Sequence, residues 1–318
     1  VLCDLSKAFD CVSHKLLIAK LHYYGIMNNA LKLIESYLFS RSQYVCINGK
    51  YSQVSKVVSG VPQGSVLGPI LFLIMINDFS YNITSDCLLF ADDTTIYGTM
   101  KNFNELEEYI ENSFKEATSW FGANGFSLNV DKTQRILFTL RQLQIDGGLS
   151  SVKFLGITLD SKLNWGTHID LICIRLARVV YLLRHLKYLV PKGYLRNAYF
   201  AFFNSILLYG VLFWGNSPDV GKVLKLQKQA IRILTGSSFD SHCKPLFISQ
   251  SILTVTNLYI FECLLRVKRS ISEYRSRFTY HDYNTRYGYC LDMPVVRLTK
   301  TKHSFDAMAI TLFNKLPQ

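Results

Sequence analysis

The sequence has no cysteine pattern that would build a metal site or a disulfide framework. Its eight cysteines are scattered, mostly among apolar neighbours, and they include no Cys-x-x-Cys pair and no Cys/His cluster at zinc spacing. We therefore expect no zinc, and we expect buried free thiols in a reducing, intracellular compartment.

Long apolar runs are also missing. The longest, PILFLIMI at 69–76, is far shorter than the roughly 20 residues of a membrane-spanning helix, and no signal peptide is recognisable. We therefore expect no membrane partner. The chain has 318 residues, 49% of them hydrophobic, with no internal repeat or low-complexity linker. This length and composition predict a sizeable core divided between two lobes.

Acidic residues are scarce in the second half of the chain. Residues 1–160 carry 13 Lys and Arg against 15 Asp and Glu, whereas residues 161–318 carry 22 against 8, and the whole chain has a net charge of +12. This asymmetry indicates that the second half faces a polyanion. The alternative is that these basic faces are only solvated surface.

The first half mixes β-rich runs with helical patterns but lacks regular βαβα alternation. This favours an α+β fold, an antiparallel sheet covered by helices. The expected strands are 1–5, two runs joined through Asn48-Gly49, a hairpin at 88–97, 135–140 and 152–159. The expected helices are 14–24, closed by Gly25, then 30–38, 70–77 and 104–122, the last opened by Asn104 with Glu107.

The second half has helical spacing almost throughout. It predicts an all-helical basic lobe with helices at 167–187, 193–209, 220–235 and 246–269.

Two adjacent carboxylates interrupt the apolar stretch LLFADDTTIY at 88–97. Ionising Asp92 and Asp93 together is costly, because their charges repel. Such a pair can raise the pKa of one partner and do acid/base work, or it can bind a hard divalent cation, which removes the repulsion. Asp4 ends another apolar strand, and if that strand lies beside the hairpin, the three acids meet at one sheet edge. Three such carboxylates can hold two Mg²⁺ ions about 3.5–4 Å apart. The alternative is that the pair forms an ordinary polar turn.

Five motifs in order resemble the reverse transcriptases of non-LTR retrotransposons, such as the insect jockey-like elements. They lie between the first residue and about Trp165. HSFDAMAITLFNKLP, near the C terminus, is also similar to the end of such reading frames. The motifs are DLSKAFD (4–10), GVPQGSVLGPILF (60–72), FADD (90–93), SLNVDKT (127–133) and KFLGITLD (153–160).

The resemblance implies a right-hand polymerase fold and an RNA-directed DNA polymerase. Residues 1–160 would be the palm with partial fingers, 161–240 a helical thumb-like domain, and 241–318 a C-terminal helical or irregular extension. It also implies two Mg²⁺ ions, with Mn²⁺ as a substitute, and an RNA template, a DNA primer and dNTPs as partners. The expected location is the nucleus and cytoplasm, as a retrotransposon ribonucleoprotein.

Motif matching assigns roles to residues of the first half. Asp4 and Asp92 would be metal ligands assisted by Asp93, and Leu5 would lend a backbone carbonyl to a metal. Phe9 would pack under the deoxyribose and exclude a 2′-OH; otherwise it is an ordinary core residue. The remaining nucleotide-site residues would be Gln63 and Gly64, beside the incoming nucleotide, and Lys132, beside the pyrophosphate leaving group.

The same matching assigns nucleic-acid contacts further along the chain. The 3′ end of the primer would be held by a hairpin, the primer grip, and basic helices of the thumb would follow the phosphate backbone. The primer grip would be Phe154, Leu155 and Gly156, and the backbone contacts Arg175, Arg178, Lys222, Lys225 and Arg232. The alternatives are a strand core for the first group and solvated amphipathic faces for the second.

Other polar residues of the first half are expected to have structural roles: Asp10 as a helix-entry or surface partner, His14 at a helix start and Asp78 at a helix end. The resemblance further implies a fingers segment before DLSKAFD. Because the sequence begins with Val1 inside an apolar run, we expect a further N-terminal part in the natural protein. The alternative function is a non-catalytic nucleic-acid-binding relic of a mobile element.

Overall fold

A computed structural model of the chain describes residues 1–141, 149–276 and 290–317. These residues form two compact units. The first contains residues 1–137 and 149–152, and the second contains residues 138–141, 153–276 and 290–317. Each unit has its own apolar core. No helix among the described residues is both long and apolar enough to cross a membrane.

A three-stranded antiparallel sheet forms the floor of the first unit. Strand β1 (Leu2–Cys3) pairs with β7 (Asp93–Tyr97), which pairs with β6 (Asp86–Phe90). Alternation along β7 directs Thr94 and Ile96 into the core. This is the strand pairing that the sequence predicts between residues 1–5 and the 88–97 hairpin.

Helices pack on the core side of this sheet. Their buried faces carry leucines and aromatic rings. Phe121 of the fourth helix stacks on Phe79, which lies in the short 3-10 turn Phe79–Tyr81, with ring centroids 5.0 Å apart. Ser13 caps the first helix by accepting a hydrogen bond from the Leu16 N–H. The helices are α1 (His14–Tyr23), α2 (Asn28–Leu38), α3 (Leu67–Ile76) and α4 (Phe103–Ala123).

Between α2 and α3 the chain forms two short antiparallel ladders. Asn48 and Gly49 both have positive φ, 50° and 76°, as a two-residue hairpin turn requires, so the predicted hairpin is confirmed. The strands are β2 (Ser42–Gln43), β3 (Cys46–Ile47), β4 (Lys50–Tyr51) and β5 (Ser55–Lys56), with β3 paired to β4 and β2 to β5.

Three expectations for the first half are wrong in detail. Helix α3 starts at Leu67 rather than residue 70, because Pro69 is accepted within its first turn. Helix α4 is capped by Asn102, whose side chain accepts from the Asn104 N–H and reaches Glu105, so the predicted cap at Asn104 lies inside the helix. Residues 135–140 form no strand; the bridge nearest to them in the described chain pairs Leu2 with Gln134, one residue earlier.

The second unit is mainly helical, as the sequence predicts. It opens with a hairpin that begins in the last residues of the first unit, β8 (Ser151–Phe154) and β9 (Ile157–Asp160). Its helices are α5 (Gly166–Leu186), α6 (Lys192–Ala198), α7 (Ser205–Leu208), α8 (Val211–Trp214), α9 (Val220–Thr235), α10 (Cys243–Ser249), α11 (Val255–Arg269), α12 (Thr299–Lys302) and α13 (Phe305–Phe313). A π-helical segment, Tyr199–Asn204, joins α6 to α7.

The predicted single helix over 246–269 is wrong. The chain turns at Ser251, which has φ +52°, and α11 restarts with Thr254 as its N-cap, accepting from the Asn257 N–H at 3.3 Å. Helices α9, α10 and α11 contribute to one core together with α5 and α13. Residues 161–240 and the described part of 241–318 therefore share a core, and the division between thumb and extension stays a prediction.

Candidate active site

Asp4 and Asp93 each adjoin one residue of the Cys3–Thr94 pair that ends the β1–β7 ladder. Cys3 is paired with Thr94 in this antiparallel ladder, so the residue after β1, Asp4, comes opposite the residue before Thr94, which is Asp93. Asp92 lies in the two-residue turn that precedes β7, where Ala91 takes a positive φ of 53°. The fold thus brings the three predicted acids to one end of the sheet.

The pKa of Asp93 reflects the closeness of the three acids. Partial burial raises its pKa, and the negative charges of Asp92 and Asp4 raise it further. The side chain of Asp4 is 40% exposed, so the site is open to solvent and to a ligand.

The donor set fits a hard divalent cation. Carboxylate oxygens are the ligands that Mg²⁺ takes, completed by water and substrate phosphates, and a cation would relieve the repulsion that raises the pKa of Asp93. As the side chains stand, no group of three or more His, Cys, Asp or Glu among the described residues is arranged to hold a metal ion. Binding would therefore require the carboxylates to reorient around the ion.

Lys132 reaches this cluster from a separate loop. The Asn129 N–H donates to the backbone carbonyl of Asp4 at 2.8 Å, and the Asn129 carbonyl accepts from the N–H groups of Lys132 and Thr133. This turn places the Lys132 Nζ 4.0 Å from Asp4 Oδ2, with 70% of the lysine side chain exposed. An exposed cation therefore lies beside Asp4.

Leu5 and Phe9 lie in the segment that leaves β1. Leu5 is buried, at 6% exposure, and bridges to Leu128. Phe9 is half-buried and stacks on Phe72 of α3 with ring centroids 4.5 Å apart. Its backbone carbonyl also accepts from the Val61 N–H at 2.9 Å. The stacking on Phe72 of α3 fixes the orientation of the Phe9 ring, as a residue that excludes a substrate group by its bulk would need.

The loop that carries Gln63 and Gly64 is fastened to the same segment. Gln63 Nε2 donates to Asp10 Oδ1 at 2.9 Å. Gly60 has φ +86°, and a Cβ built on it would lie 2.8 Å from the Asp10 Cα. Gly64 also has positive φ, 77°, but its surroundings are open.

His14 fixes this loop from the other side. It is 4% exposed, and its Nε2 lies 2.7 Å from the Gly60 carbonyl. Because a carbonyl only accepts, Nε2 carries the proton and donates. The sequence reasoning missed the Asp10–Gln63 and His14–Gly60 pairs, because contacts between residues so far apart in the chain leave no periodic pattern to read.

The predicted primer-grip residues form a tight turn in the second unit. Leu155 and Gly156 have φ values of 46° and 81°. The hydroxyl of Tyr209 donates to the Leu155 carbonyl and holds the turn in place.

The five predicted backbone-contact residues fall into two groups. Lys222 is paired with Asp170 at 2.8 Å and Asp219 at 3.2 Å, and these hydrogen bonds raise its pKa. Arg232 donates twice to the Ser241 carbonyl. These two cations are therefore engaged within the protein. The remaining residues are exposed on α5 and α9: Arg175, Arg178 and Lys225.

His168 is a further residue of interest that the sequence did not single out. It lies in the first turn of α5 and is 5% exposed. Burial lowers its pKa, and the nearby positive charge of Arg175 lowers it further.

Comparison with known proteins agrees with these observations. The profile of the family described as "Reverse transcriptase (RNA-dependent DNA polymerase)" matches residues 1–159. The chain therefore belongs to the reverse transcriptase family, and the resemblance drawn from the five motifs is confirmed.

The curated relatives belong to mobile elements. The probable RNA-directed DNA polymerase from transposon BS of Drosophila melanogaster is 28% identical over 311 residues, which covers 88% of this chain and 33% of the relative. The RNA-directed DNA polymerase from mobile element jockey, of the same organism, is 28% identical over 74% of this chain and 28% of the relative. The chain thus spans about a third of the length of these relatives.

A solved telomerase structure from Candida albicans also matches, with 15% identity and a TM-score of 0.39, over 79% of this chain and 49% of that one.

Proposed function

We propose that this chain contributes the catalytic centre of an RNA-directed DNA polymerase of a non-LTR retrotransposon. The first unit would be the polymerase palm, and the reaction would add a nucleotide to the 3′-OH of a primer paired with an RNA template. The observation that carries the proposal is the register of β1 and β7, which sets Asp4 opposite Asp93, next to Asp92.

In this proposal Asp4, Asp92 and Asp93 hold divalent cations, Mg²⁺ or in its place Mn²⁺. Such ions would lower the pKa of the attacking hydroxyl and neutralise the negative charge of the triphosphate and of the leaving group. The protein's own contribution is to hold three carboxylates at the end of a rigid sheet, where their mutual repulsion favours cation binding.

The surrounding side chains position the nucleotide. Lys132, whose ammonium lies 4.0 Å from Asp4 Oδ2, would donate a proton to pyrophosphate. Phe9 presents a ring braced by Phe72 and would exclude a 2′-OH. Gln63 and Gly64 would lie against the nucleotide, with Gln63 oriented by Asp10.

The second unit would bind primer and template as a thumb. The turn at Leu155 and Gly156 would hold the primer end, and Arg175, Arg178 and Lys225 offer exposed positive charge to phosphates. Lys222 and Arg232 would contribute less than the sequence suggests, because protein partners already engage them.

Primer extension on poly(rA)/oligo(dT) with Mg²⁺ tests the proposal. Asp92→Asn should lower incorporation by at least about 100-fold. Asp86→Asn is the matched control, because Asp86 is an exposed acid at the far end of β6, and it should leave incorporation unchanged. Equal incorporation by wild type and Asp92→Asn would rule out the proposed polymerase activity. Nucleic-acid binding without any incorporation would favour the alternative, a non-catalytic nucleic-acid-binding relic of a mobile element.

A further inference from the structure

Gln63 lies in a tight turn of the loop between β5 and α3. The Pro62 carbonyl accepts from the Ser65 N–H at 3.3 Å and from the Ser65 hydroxyl at 2.6 Å. Gly64 has φ +77°, as the third residue of a type II turn requires. The turn thus fixes the backbone of Gln63, and only the torsions of its side chain are left to be set.

Backbone hydrogen bonds fasten this loop to the segment that leaves β1. The Gly60 N–H donates to the Val12 carbonyl at 2.8 Å. The Val61 N–H donates to the Phe9 carbonyl at 2.9 Å. The loop is therefore docked without any contribution from the Gln63 side chain.

Asp10 nevertheless engages the Gln63 amide. Gln63 Nε2 donates to Asp10 Oδ1 at 2.9 Å, and both residues are exposed. A hydrogen bond at the surface adds little to stability, because water competes for both partners. Among the described residues, no Lys, Arg or His nitrogen lies within 4.0 Å of the Asp10 carboxylate. Holding the fold together therefore does not account for this acid.

A carboxylate sets the direction of an amide, because it can only accept hydrogen bonds. Asp10 takes the NH₂ end of Gln63 and leaves the carbonyl oxygen, Oε1, without a hydrogen-bond partner among the described residues. Without Asp10 the amide could turn over, and either end could face a ligand. With Asp10 in place, Gln63 offers an oriented acceptor.

We propose that Asp10 is a positioning residue of the nucleotide site, which holds the Gln63 amide so that Oε1 accepts a hydrogen bond from the incoming nucleotide. The inference rests on the proposed polymerase function, in which Gln63 lies against the nucleotide. Asp10 directly follows Phe9 in the chain. Neighbouring residues of one segment thus hold the ring expected under the sugar and orient the amide expected beside the nucleotide.

Single-turnover incorporation of dTTP on poly(rA)/oligo(dT), at varied dTTP concentration, gives the apparent nucleotide affinity and the maximal rate separately. Asp10→Ala should weaken the affinity about tenfold and change the maximal rate less than about twofold, because a contact made before the chemical step is lost. The sign is diagnostic, since removing a negative charge from a site for a triphosphate would by itself tighten binding. An unchanged or tighter affinity would overturn the role of Asp10.

A reciprocal exchange tests the direction of the hydrogen bond. Gln63→Glu sets two carboxylates against each other and should weaken the affinity at least about tenfold. The double variant Asp10→Asn/Gln63→Glu restores the bond in reverse, with the new amide at position 10 donating to the new carboxylate. It keeps the total charge and an acceptor for the nucleotide, so its affinity should return to within about threefold of wild type. If the double variant shows no recovery, the nucleotide does not meet an acceptor at Gln63, and the inference is wrong.

Ser59→Ala is the matched control. The Ser59 hydroxyl donates to the Asp10 carbonyl at 3.1 Å, so this variant loses a hydrogen bond between the same two segments and leaves the Gln63 amide untouched. Its nucleotide affinity should equal that of wild type. An equal loss in Ser59→Ala and Asp10→Ala would assign the effect to docking of the loop and overturn the inference.

The wild-type chain separates failure of this inference from failure of the polymerase proposal. Absence of incorporation by wild type would overturn the polymerase and, with it, the role of Asp10. Incorporation by wild type together with a wild-type affinity in Asp10→Ala would overturn the role of Asp10 alone. Unfolding midpoints of all variants separate a lost contact from a lost fold.

Discussion

The ammonium group of Lys132 lies 4.0 Å from the carboxylate of Asp4. The two residues are far apart in sequence and are joined through Asn129, whose N–H donates to the Asp4 carbonyl. The contact links the loop of SLNVDKT to the strand of DLSKAFD at the backbone level. The lysine side chain itself is 70% exposed, so the ion pair faces solvent.

Replacing Lys132 should therefore affect chemistry and not stability. Lys132→Met should lower the single-turnover incorporation rate about 100-fold if the ammonium donates a proton, and should change the free energy of unfolding by less than about 0.5 kcal/mol, because the ion pair is exposed. Lys132→Arg keeps the charge but holds its proton, so it should rescue little. Lys115→Met, on the exposed face of α4, is the control. Full activity in Lys132→Met would contradict the role.

Phe9 is expected to govern the choice of sugar. Phe9→Ala removes the ring that rests on Phe72 and should raise incorporation of ribonucleotides relative to deoxyribonucleotides by about tenfold or more. It should also cost about 1–3 kcal/mol of unfolding free energy, because a half-buried ring is lost. Competition assays with paired rNTP and dNTP give the ratio.

A packing control separates these two effects of the Phe9 substitution. Phe114 is also half-buried, on α4, and Phe114→Ala should destabilise the unit without changing sugar selection. An unchanged ratio in Phe9→Ala would identify Phe9 as a core residue only.

The close approach of Gly60 to Asp10 predicts a steric effect on stability. Gly25 and Gly60 have nearly the same φ, 89° and 86°, but a Cβ on Gly25 meets nothing within 4 Å, whereas one on Gly60 would clash with the Asp10 backbone. Gly25→Ala should cost about 1 kcal/mol of unfolding free energy from backbone strain. Gly60→Ala should cost at least about 2 kcal/mol more, because the loop must shift. Equal costs in urea unfolding would show that the loop adapts freely.

The position of each acid at the end of an apolar strand could be predicted from sequence. Their meeting needed two strands about 90 residues apart to be neighbours, which followed from the sequence only as a condition and which the resemblance supported. Apolar residues around Asp4 and Asp92 define the two strands, and in the structure antiparallel pairing brings their ends together. The turn at Asn48 and Gly49 follows from backbone chemistry in the same way. In both cases the backbone conformation that the residues prefer on their own is the one they adopt in the fold.

Other features depend on contacts that local rules do not encode. The α4 cap is an example, since Asn102 with Glu105 and Asn104 with Glu107 have the same spacing and only packing decides between them. The break between α10 and α11 at Ser251 has no neighbouring Gly or Pro that would predict it from the sequence.

The repulsion around Asp93 predicts a conflict between stability and metal binding. Asp93→Asn removes one of three neighbouring negative charges, so it should raise the unfolding free energy in EDTA by about 0.5 kcal/mol at low salt, and by less in 1 M NaCl. The same change should weaken Mn²⁺ binding, measured by titration calorimetry. Asp131→Asn, an exposed acid of the SLNVDKT loop, is the control. A loss of stability in Asp93→Asn would mean that the carboxylate is held by favourable contacts instead.

His168 should make the stability of the second unit depend on pH. Burial and the charge of Arg175 lower its pKa in the folded chain, while in the unfolded chain it titrates near its ordinary value of about 6.5. As the pH falls below that value, the unfolded state takes up the proton first, and the unfolding free energy therefore decreases. His168→Asn keeps the hydrogen bond from Thr158 but cannot be protonated, so it should lose less stability between about pH 7.5 and pH 5.

Urea unfolding at the two pH values measures this difference. His185→Asn, on the same helix but exposed, is the matched control and should retain the wild-type dependence. If His168→Asn loses as much stability as wild type, the acid sensitivity belongs to other groups, and His168 is protonated in the folded chain without cost.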